Sequence, residues 1–206
     1  MFPLFETLCV KDGKILHEAF HLRRFRASYR AHFGSEPPYD LLEGLGLSEA
    51  GLASGGPGHL YRLRIDYGRE ERSVQLLPYI KKPVCSLRLL TDNAISYHLK
   101  YSDRRALERL FALRASCDDV LIVKNGRITD TTFCNIAFFD GSRWLTPSAP
   151  LLRGTARQRL LEEGILFEAE IRPKDLALFS VWKVFNALRS FEEAETLPID
   201  RIVGEL

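Results

Sequence analysis

Three dipeptides ending in glycine constrain the fold of this chain more than any other feature. Asp12-Gly13 lies between Thr7-Leu8-Cys9-Val10 and Ile15-Leu16. Asn125-Gly126 lies between Val120-Leu121-Ile122-Val123 and Arg127-Ile128-Thr129, and Asp140-Gly141 between Ile136-Ala137-Phe138-Phe139 and Trp144-Leu145. Asn and Asp followed by Gly accept the positive φ angles of a tight antiparallel turn, so each pair is expected to join two strands. A fourth hairpin is expected from Leu60–Ile65 and Val74–Leu77 around Tyr67-Gly68-Arg69.

Helical periodicity falls between these strands. Leu22, Phe25, Tyr29 and Phe33 recur at helical spacing within 21–33, and Gly34 supplies a stop. Leu107, Leu110, Phe111 and Arg114 predict an amphipathic helix over 103–114. Shorter helices are expected over 40–47, 155–163 (ended by Gly164) and 173–179, with a Gly/Ser/Pro loop at 51–58. Strands and helices mix without βαβ alternation, which predicts an α+β architecture with mainly antiparallel sheets. The Tyr79-Ile80-Lys81-Lys82-Pro83 stretch is the expected break. It divides a small α+β unit over 1–80 from a larger one over 86–206, with 81–85 as linker.

Composition narrows the function classes. At 46% hydrophobic and 27% charged residues the chain is neither disordered nor collagen-like. No apolar run approaches the roughly 20 residues of a membrane span. The N-terminal Met1-Phe2-Pro3-Leu4-Phe5-Glu6 does not follow the secretory pattern, so a cytoplasmic location is the expectation. Twenty-nine basic residues against 27 acidic ones give no long-range pull on nucleic acid or an anionic membrane. Arginine outnumbers lysine, and its planar fork suits a small anionic ligand, although most arginines on helices only solubilise a face. Cys9, Cys85, Cys117 and Cys134 are far apart and read as reduced thiols, without metal-ligand spacing.

Three stretches are able to carry chemistry. In Leu151-Leu152-Arg153-Gly154-Thr155-Ala156-Arg157-Gln158, Thr155 precedes Gln158 by three residues, a capping-box pattern that opens a helix. Gly154 permits close approach of the backbone, and the helix N-terminus is a ready anion site; the same pattern also serves a helix that binds nothing. Thr129-Asp130-Thr131-Thr132-Phe133-Cys134-Asn135 packs short polar groups between two strands, and a buried acid there needs a partner. A turn whose side chains cap their own backbone reads the same way. Lys100, in Tyr97-His98-Leu99-Lys100-Tyr101, has apolar and aromatic neighbours that would lower an amine's pKa if it were buried.

Taken together these segments resemble the class IV aminotransferase family, enzymes of fold type IV that depend on pyridoxal 5′-phosphate (PLP). The match runs through Ile128-Thr129-Asp130-Thr131-Thr132-Phe133-Cys134-Asn135-Ile136, Leu145-Thr146-Pro147 and Leu152-Arg153-Gly154-Thr155-Ala156-Arg157. Phe5-Glu6-Thr7 and His21-Leu22-Arg23-Arg24-Phe25 resemble the start of the family's small domain. The resemblance implies a two-domain fold related to D-amino-acid aminotransferase, with Lys100 holding PLP as a Schiff base and shuttling the proton. It implies that Arg24 grips the cofactor phosphate together with the backbone N–H groups of Thr155 and Ala156. Asp130 would face the pyridine nitrogen, and Asn135 and Gly154 would belong to the same cofactor site. Asn186-Ala187-Leu188 would line the opposite side of the cofactor, as in the family's lyases.

The departures from the family pattern are specific. Asp130 stands for a longer glutamate, Ala156 for a threonine and Arg105 for a cofactor-contacting tyrosine, and a strand that precedes the first one in longer members is expected to be missing. The last two substitutions, with Asn186-Ala187-Leu188, lean towards 4-amino-4-deoxychorismate lyase, an enzyme of folate biosynthesis. That lyase releases pyruvate and leaves 4-aminobenzoate. Arg62 and Arg64, on one face of a strand, and Arg189 are candidates for the carboxylates of a small anionic amine substrate. A transaminase of a small branched-chain or D-amino acid, and a degenerate member without catalysis, are the alternatives. The family implies a homodimer.

Overall fold

The computed structural model describes residues 2–45 and 59–204. Its chain divides into two compact units, Met1–Lys81 with Leu99–Asp103, and Lys82–His98 with Arg104–Leu206. The linear division at 81–85 therefore does not capture the short segment holding Lys100, which packs with the first unit.

In the first unit, β1 (Leu4–Lys11) turns back through Asp12 and Gly13, at φ 49° and 76°, into β2 (Lys14–Ile15). The helix α1 (Glu18–Phe33) follows, and Gly34 at φ 75° closes it. The strands β3 (Leu60–Tyr67) and β4 (Arg72–Pro78) complete an antiparallel sheet in the order β2-β1-β3-β4. Alternate residues Leu4, Leu8 and Val10 of β1 and Tyr61, Leu63, Ile65 and Tyr67 of β3 join Phe25 and Tyr29 of α1 in one core. Burial of that apolar area from water is the main force holding the helix on the sheet. The buried line of α1 is His21, Phe25, Ser28 and Tyr29, whereas Leu22 and Phe33 are half-buried, so the helix is rotated towards His21 relative to the apolar stripe. Leu99 and Tyr101 pack on the same core, and the strap is tied down by Phe5 N–H to Lys100 C=O (3.0 Å) and Ser102 N–H to Pro3 C=O (2.8 Å). The helix expected over 40–47 is not formed in its described part; Asp40 instead accepts a hydrogen bond from Leu42 N at 2.8 Å, an Asx turn. The remainder of that helix and the loop 51–58 lie outside the described residues.

The second unit holds two sheets. One runs β13 (Ile202–Val203), β5 (Leu87–Thr91), β6 (Asp119–Lys124), β7 (Arg127–Thr131). The other runs β10 (Leu166–Ala169), β9 (Trp144–Pro147), β8 (Asn135–Phe139), β11 (Val181–Phe185), β12 (Leu197–Pro198). Most pairs are antiparallel; β5–β6, β5–β13 and β9–β10 are parallel. Leu87, Leu89, Leu121, Val123 and Ile128 from the first sheet and Ile136, Phe138, Trp182 and Val184 from the second form the core between them. Helix α2 (Arg105–Ala112) lies against β6, and α3 (Thr155–Glu162) covers the other face of β8 through Leu160, beside Ala137 and Phe185. Residues Pro173–Leu178 make a 3-10 turn where a short helix was expected. Asn125 and Gly126, at φ 52° and 72°, form the expected tight turn. At Asp140 the connection is four residues long, because the Asp140 carboxylate accepts from the backbone N–H of both Ser142 and Arg143 at 2.8 Å. Among the described residues no helix is long and apolar enough to cross a membrane.

Candidate active site

The residues singled out in the sequence fall on both units. Lys100, Arg24, Arg62 and Arg64 belong to the first; Asp130, Asn135, Gly154, Thr155, Ala156, Asn186, Ala187 and Arg189 belong to the second.

In the first unit, period-two alternation along β1 puts Glu6 on the same face as Leu4, Leu8 and Val10, in the apolar core and 0% exposed. A buried carboxylate requires partners. Arg24 supplies a bidentate fork, Nε to Oε1 at 2.7 Å and Nη2 to Oε2 at 2.6 Å, and His21 Nδ1 meets Oε2 at 2.8 Å. Burial alone would raise the Glu6 pKa, but the Arg24 and His21 contacts outweigh it and bring it down to about 2. Burial lowers that of His21, so its imidazole is neutral near pH 7 and its Nδ1–H donates to Glu6. The Arg24 guanidinium, expected to hold a phosphate, is thus aimed by a carboxylate the sequence reading overlooked. An acid at the core-facing spacing of an apolar strand was the available signal.

The opposite face of this sheet carries the amine. Lys100 Nζ stands 4.7 Å from the centre of the Phe5 ring, and the Arg64 guanidinium lies over the same ring at 3.9 Å. Arg64 also forks onto Asp66, at 2.7 and 2.6 Å. Arg62, two residues away on the same face, has a buried Nε without a hydrogen-bond partner.

In the second unit β7 delivers Asp130 at the end of a buried stretch, and a 131–134 turn brings the chain back into β8 at Asn135. Asp130 Oδ2 accepts from the backbone N–H of Leu152 at 2.9 Å, and its Oδ1 from Asn135 Nδ2 at 2.7 Å. Burial raises its pKa to about 6 against these hydrogen bonds and the charge of Arg157. Arg157, 1% exposed in α3, reaches Pro147 C=O at 2.8 Å and Glu168 Oε1 at 2.6 Å. Its place in the Leu152–Arg157 motif alone does not reveal that this cation is buried.

Helix α3 opens differently from the expected capping box. Its N-cap is Gly154, not Thr155, no side chain caps it, and Gln158 bonds Glu162 instead of reaching back. The first turn contains no acidic residue, so the positive end of α3 is not neutralised by a carboxylate of its own. Thr155 is buried there, and Ala156 packs towards the Phe185 core.

The Asn186–Arg189 turn closes through reciprocal backbone hydrogen bonds, and Asn186 Oδ1 accepts from Leu188 N and Arg189 N at 2.9 Å each. Asn186 Nδ2 reaches Phe133 C=O and Cys134 Sγ, both at 3.2 Å, and so pins the Ala187 turn to the segment joining Asp130 to Asn135. Arg189 donates to the Lys82 carbonyl, and its buried Nε has no hydrogen-bond partner. Among the described residues no group of His, Cys, Asp and Glu is arranged to hold a metal ion.

This geometry accompanies a clear set of relatives. Residues 3–191 match the model of the amino-transferase class IV family. An uncharacterized Haemophilus influenzae protein is 38% identical over 193 residues, which are 91% of this chain and 98% of that one. A candidate 4-amino-4-deoxychorismate lyase from Haemophilus somnus, solved as a crystal structure, is 31% identical with a TM-score of 0.85, covering 93% of this chain and 98% of its own. A hypothetical aminotransferase from Mycobacterium tuberculosis, solved in a PLP-bound form, shares the fold at 20% identity and a TM-score of 0.75, covering 95% and 80%. The chain belongs to the class IV aminotransferase family.

Proposed function

We propose that this class IV chain is a PLP-dependent lyase similar to 4-amino-4-deoxychorismate lyase, which releases pyruvate from a small anionic amine and leaves 4-aminobenzoate. The observation that carries the reading is the joining of Asp130 to the opening of α3: one peptide, Leu152, binds the acid and leads two residues later to Gly154, the N-cap of a helix with no acidic residue in its first turn. That pairing fits a group with a phosphate at one end and a basic ring nitrogen at the other. When bound, PLP supplies a ring that withdraws electrons from the amine-bearing carbon.

The roles of the protein's own residues follow from their surroundings. The backbone N–H groups of Thr155 and Ala156 hold the phosphate at the positive end of α3. Asp130, ionised, keeps the ring nitrogen protonated, and the bonds from Leu152 and Asn135 fix where its oxygens lie. Lys100 would take the proton from the amine-bearing carbon and deliver it to the enolpyruvyl group as the C–O bond joining that group to the ring breaks, so that the group leaves as pyruvate and the ring becomes aromatic. Arg24, aimed by Glu6, would supply a cation for the phosphate. Arg62 receives a substrate carboxylate, and the Asn186–Arg189 turn bounds the pocket beside Phe133 and Cys134. The lean towards lyase rests on this turn, on Ala156 and on the Haemophilus somnus relative. A homodimer and a cytoplasmic location belong to the same proposal.

The test is product analysis. Incubation of the PLP-loaded protein with 4-amino-4-deoxychorismate is expected to yield pyruvate and 4-aminobenzoate, and borohydride is expected to fix the cofactor on the Lys100 peptide. Amino-group transfer to a 2-oxo acid without pyruvate release would make the protein a transaminase. Failure of PLP to become fixed on any lysine would make it a non-catalytic member.

A further inference from the structure

Gly154 has an unremarkable backbone, φ −65° and ψ 147°, that any residue adopts, so conformation does not explain a glycine there. Space does. A Cβ built on Gly154 would lie 2.0 Å from Asn135 Oδ1 and 3.2 Å from its Cγ, so even alanine would require the amide to move. The group approaching the Gly154 backbone is therefore a side chain of the protein itself.

That amide is not easily displaced. Asn135 is 6% exposed, and its Nδ2 donates to Asp130 Oδ1 at 2.7 Å and to Leu152 C=O at 3.0 Å. Both amide hydrogens are thereby used. Rotating the amide away from residue 154 would break both bonds. Leu152 is bound on its other side as well, its N–H donating to Asp130 Oδ2 at 2.9 Å. Asp130, Asn135 and the Leu152 peptide thus form a closed ring of hydrogen bonds, and Gly154 rests on its outer side.

We propose that Asn135 is a positioning residue that locks the Asp130 carboxylate and the opening of α3 into one unit, and that its amide restricts residue 154 to glycine. Asn135 then acts on a bound cofactor through Asp130 and Leu152. The shorter acid matters here: Asp130 is held at both oxygens, so its reach is set by this ring and not by rotamer choice. The link to a cofactor rests on the PLP reading above; the ring and the glycine restriction do not.

The test uses the full chain as wild type, Gly154→Ala, Asn135→Ala and the double variant. Without PLP, Gly154→Ala is expected to lower the melting temperature by about 4 °C or more, through overpacking against the amide. In the Asn135→Ala background the same change is expected to cost less than about half of that, because the obstructing oxygen is gone. An equal cost in both backgrounds overturns the glycine assignment. Carbon-13 NMR of the Asp130 carboxyl gives an independent readout. Asn135→Ala is expected to raise its titration midpoint by about one pH unit, since a hydrogen bond to the charged form is lost while Arg157 remains. An unmoved midpoint overturns the positioning role. With PLP added, Asn135→Ala is expected to weaken binding at least about tenfold. Wild-type protein that binds no PLP would refute the functional reading alone, and the cofactor-free measurements would still decide the ring.

Discussion

Phe5 holds Lys100 twice: its N–H donates to the Lys100 carbonyl at 3.0 Å, and its ring lies 4.7 Å from Lys100 Nζ. The Lys100 amine is therefore placed by the strand that also builds the first unit's core. Arg64 lies over the same ring, so the Phe5 side chain organises two cations at once. Phe5→Leu should leave the backbone bond intact and remove the ring. The expected result is a loss of about 1 kcal/mol of stability, read as a lower urea midpoint at unchanged slope. A more mobile Lys100 side chain should appear in NMR relaxation.

Glu6 predicts a response to acid. Its folded pKa, about 2, lies below the ordinary carboxylate value of 4.5. Its contribution is therefore complete above pH 4.5 and lost as the pH falls through about 2, at a cost of about 3 kcal/mol. Glu6→Gln should flatten that part of the stability curve and destabilise the protein by about 3 kcal/mol at pH 7, because Arg24 and His21 lose their partner. Denaturant melts at pH 2 to 7 check both.

Asp130 predicts the opposite sign in a different window. Its folded pKa is raised from 3.8 to about 6, so the folded form holds the extra proton between those values. Without cofactor, the contribution of Asp130 to stability should be complete below about pH 4 and decline by about 3 kcal/mol as the pH rises through 6, superimposed on the Glu6 loss at lower pH. Asp130→Asn should remove this slope. PLP with a protonated ring nitrogen should flatten it in the wild type, and thermal melts with and without PLP read the difference.

The thiols should differ in reactivity. Cys9, Cys117 and Cys134 are buried, and burial pushes the Cys134 pKa up to about 12, leaving the thiolate scarce at neutral pH. Cys85 is only half-buried. Iodoacetamide on the native protein should modify Cys85 first, and Cys134 only after denaturation, as peptide mass spectrometry would show.

What was legible in the sequence was mostly local. Asp12-Gly13 and Asn125-Gly126 marked tight turns because positive φ at two successive positions leaves few residue choices. Asp140-Gly141 likewise joins an antiparallel pair, Phe139 facing Trp144, and the Asp140 side chain holds the four-residue connection by accepting from two backbone N–H groups. The anion-ready end of α3 was readable, although the cap fell on Gly154 and the space beside it belonged to an amide 19 residues earlier. The parallel pairs β5–β6 and β9–β10 left no local mark, since each depends on chain segments that meet only after folding. The Glu6–Arg24 pair is legible in principle: a carboxylate among Leu4, Leu8 and Val10 needs a cation, and Arg24 lies beside the core-facing His21 and Phe25 of α1.

The segment 99–103 has a last consequence. Leu99 and Tyr101 seal one side of the sheet built by residues 4–78, and Leu4 bridges to Tyr101. A fragment cut after residue 81 would therefore carry every strand of that sheet yet leave its first strand uncovered. Supplying a peptide spanning 99–103 in trans would be the way to make it whole.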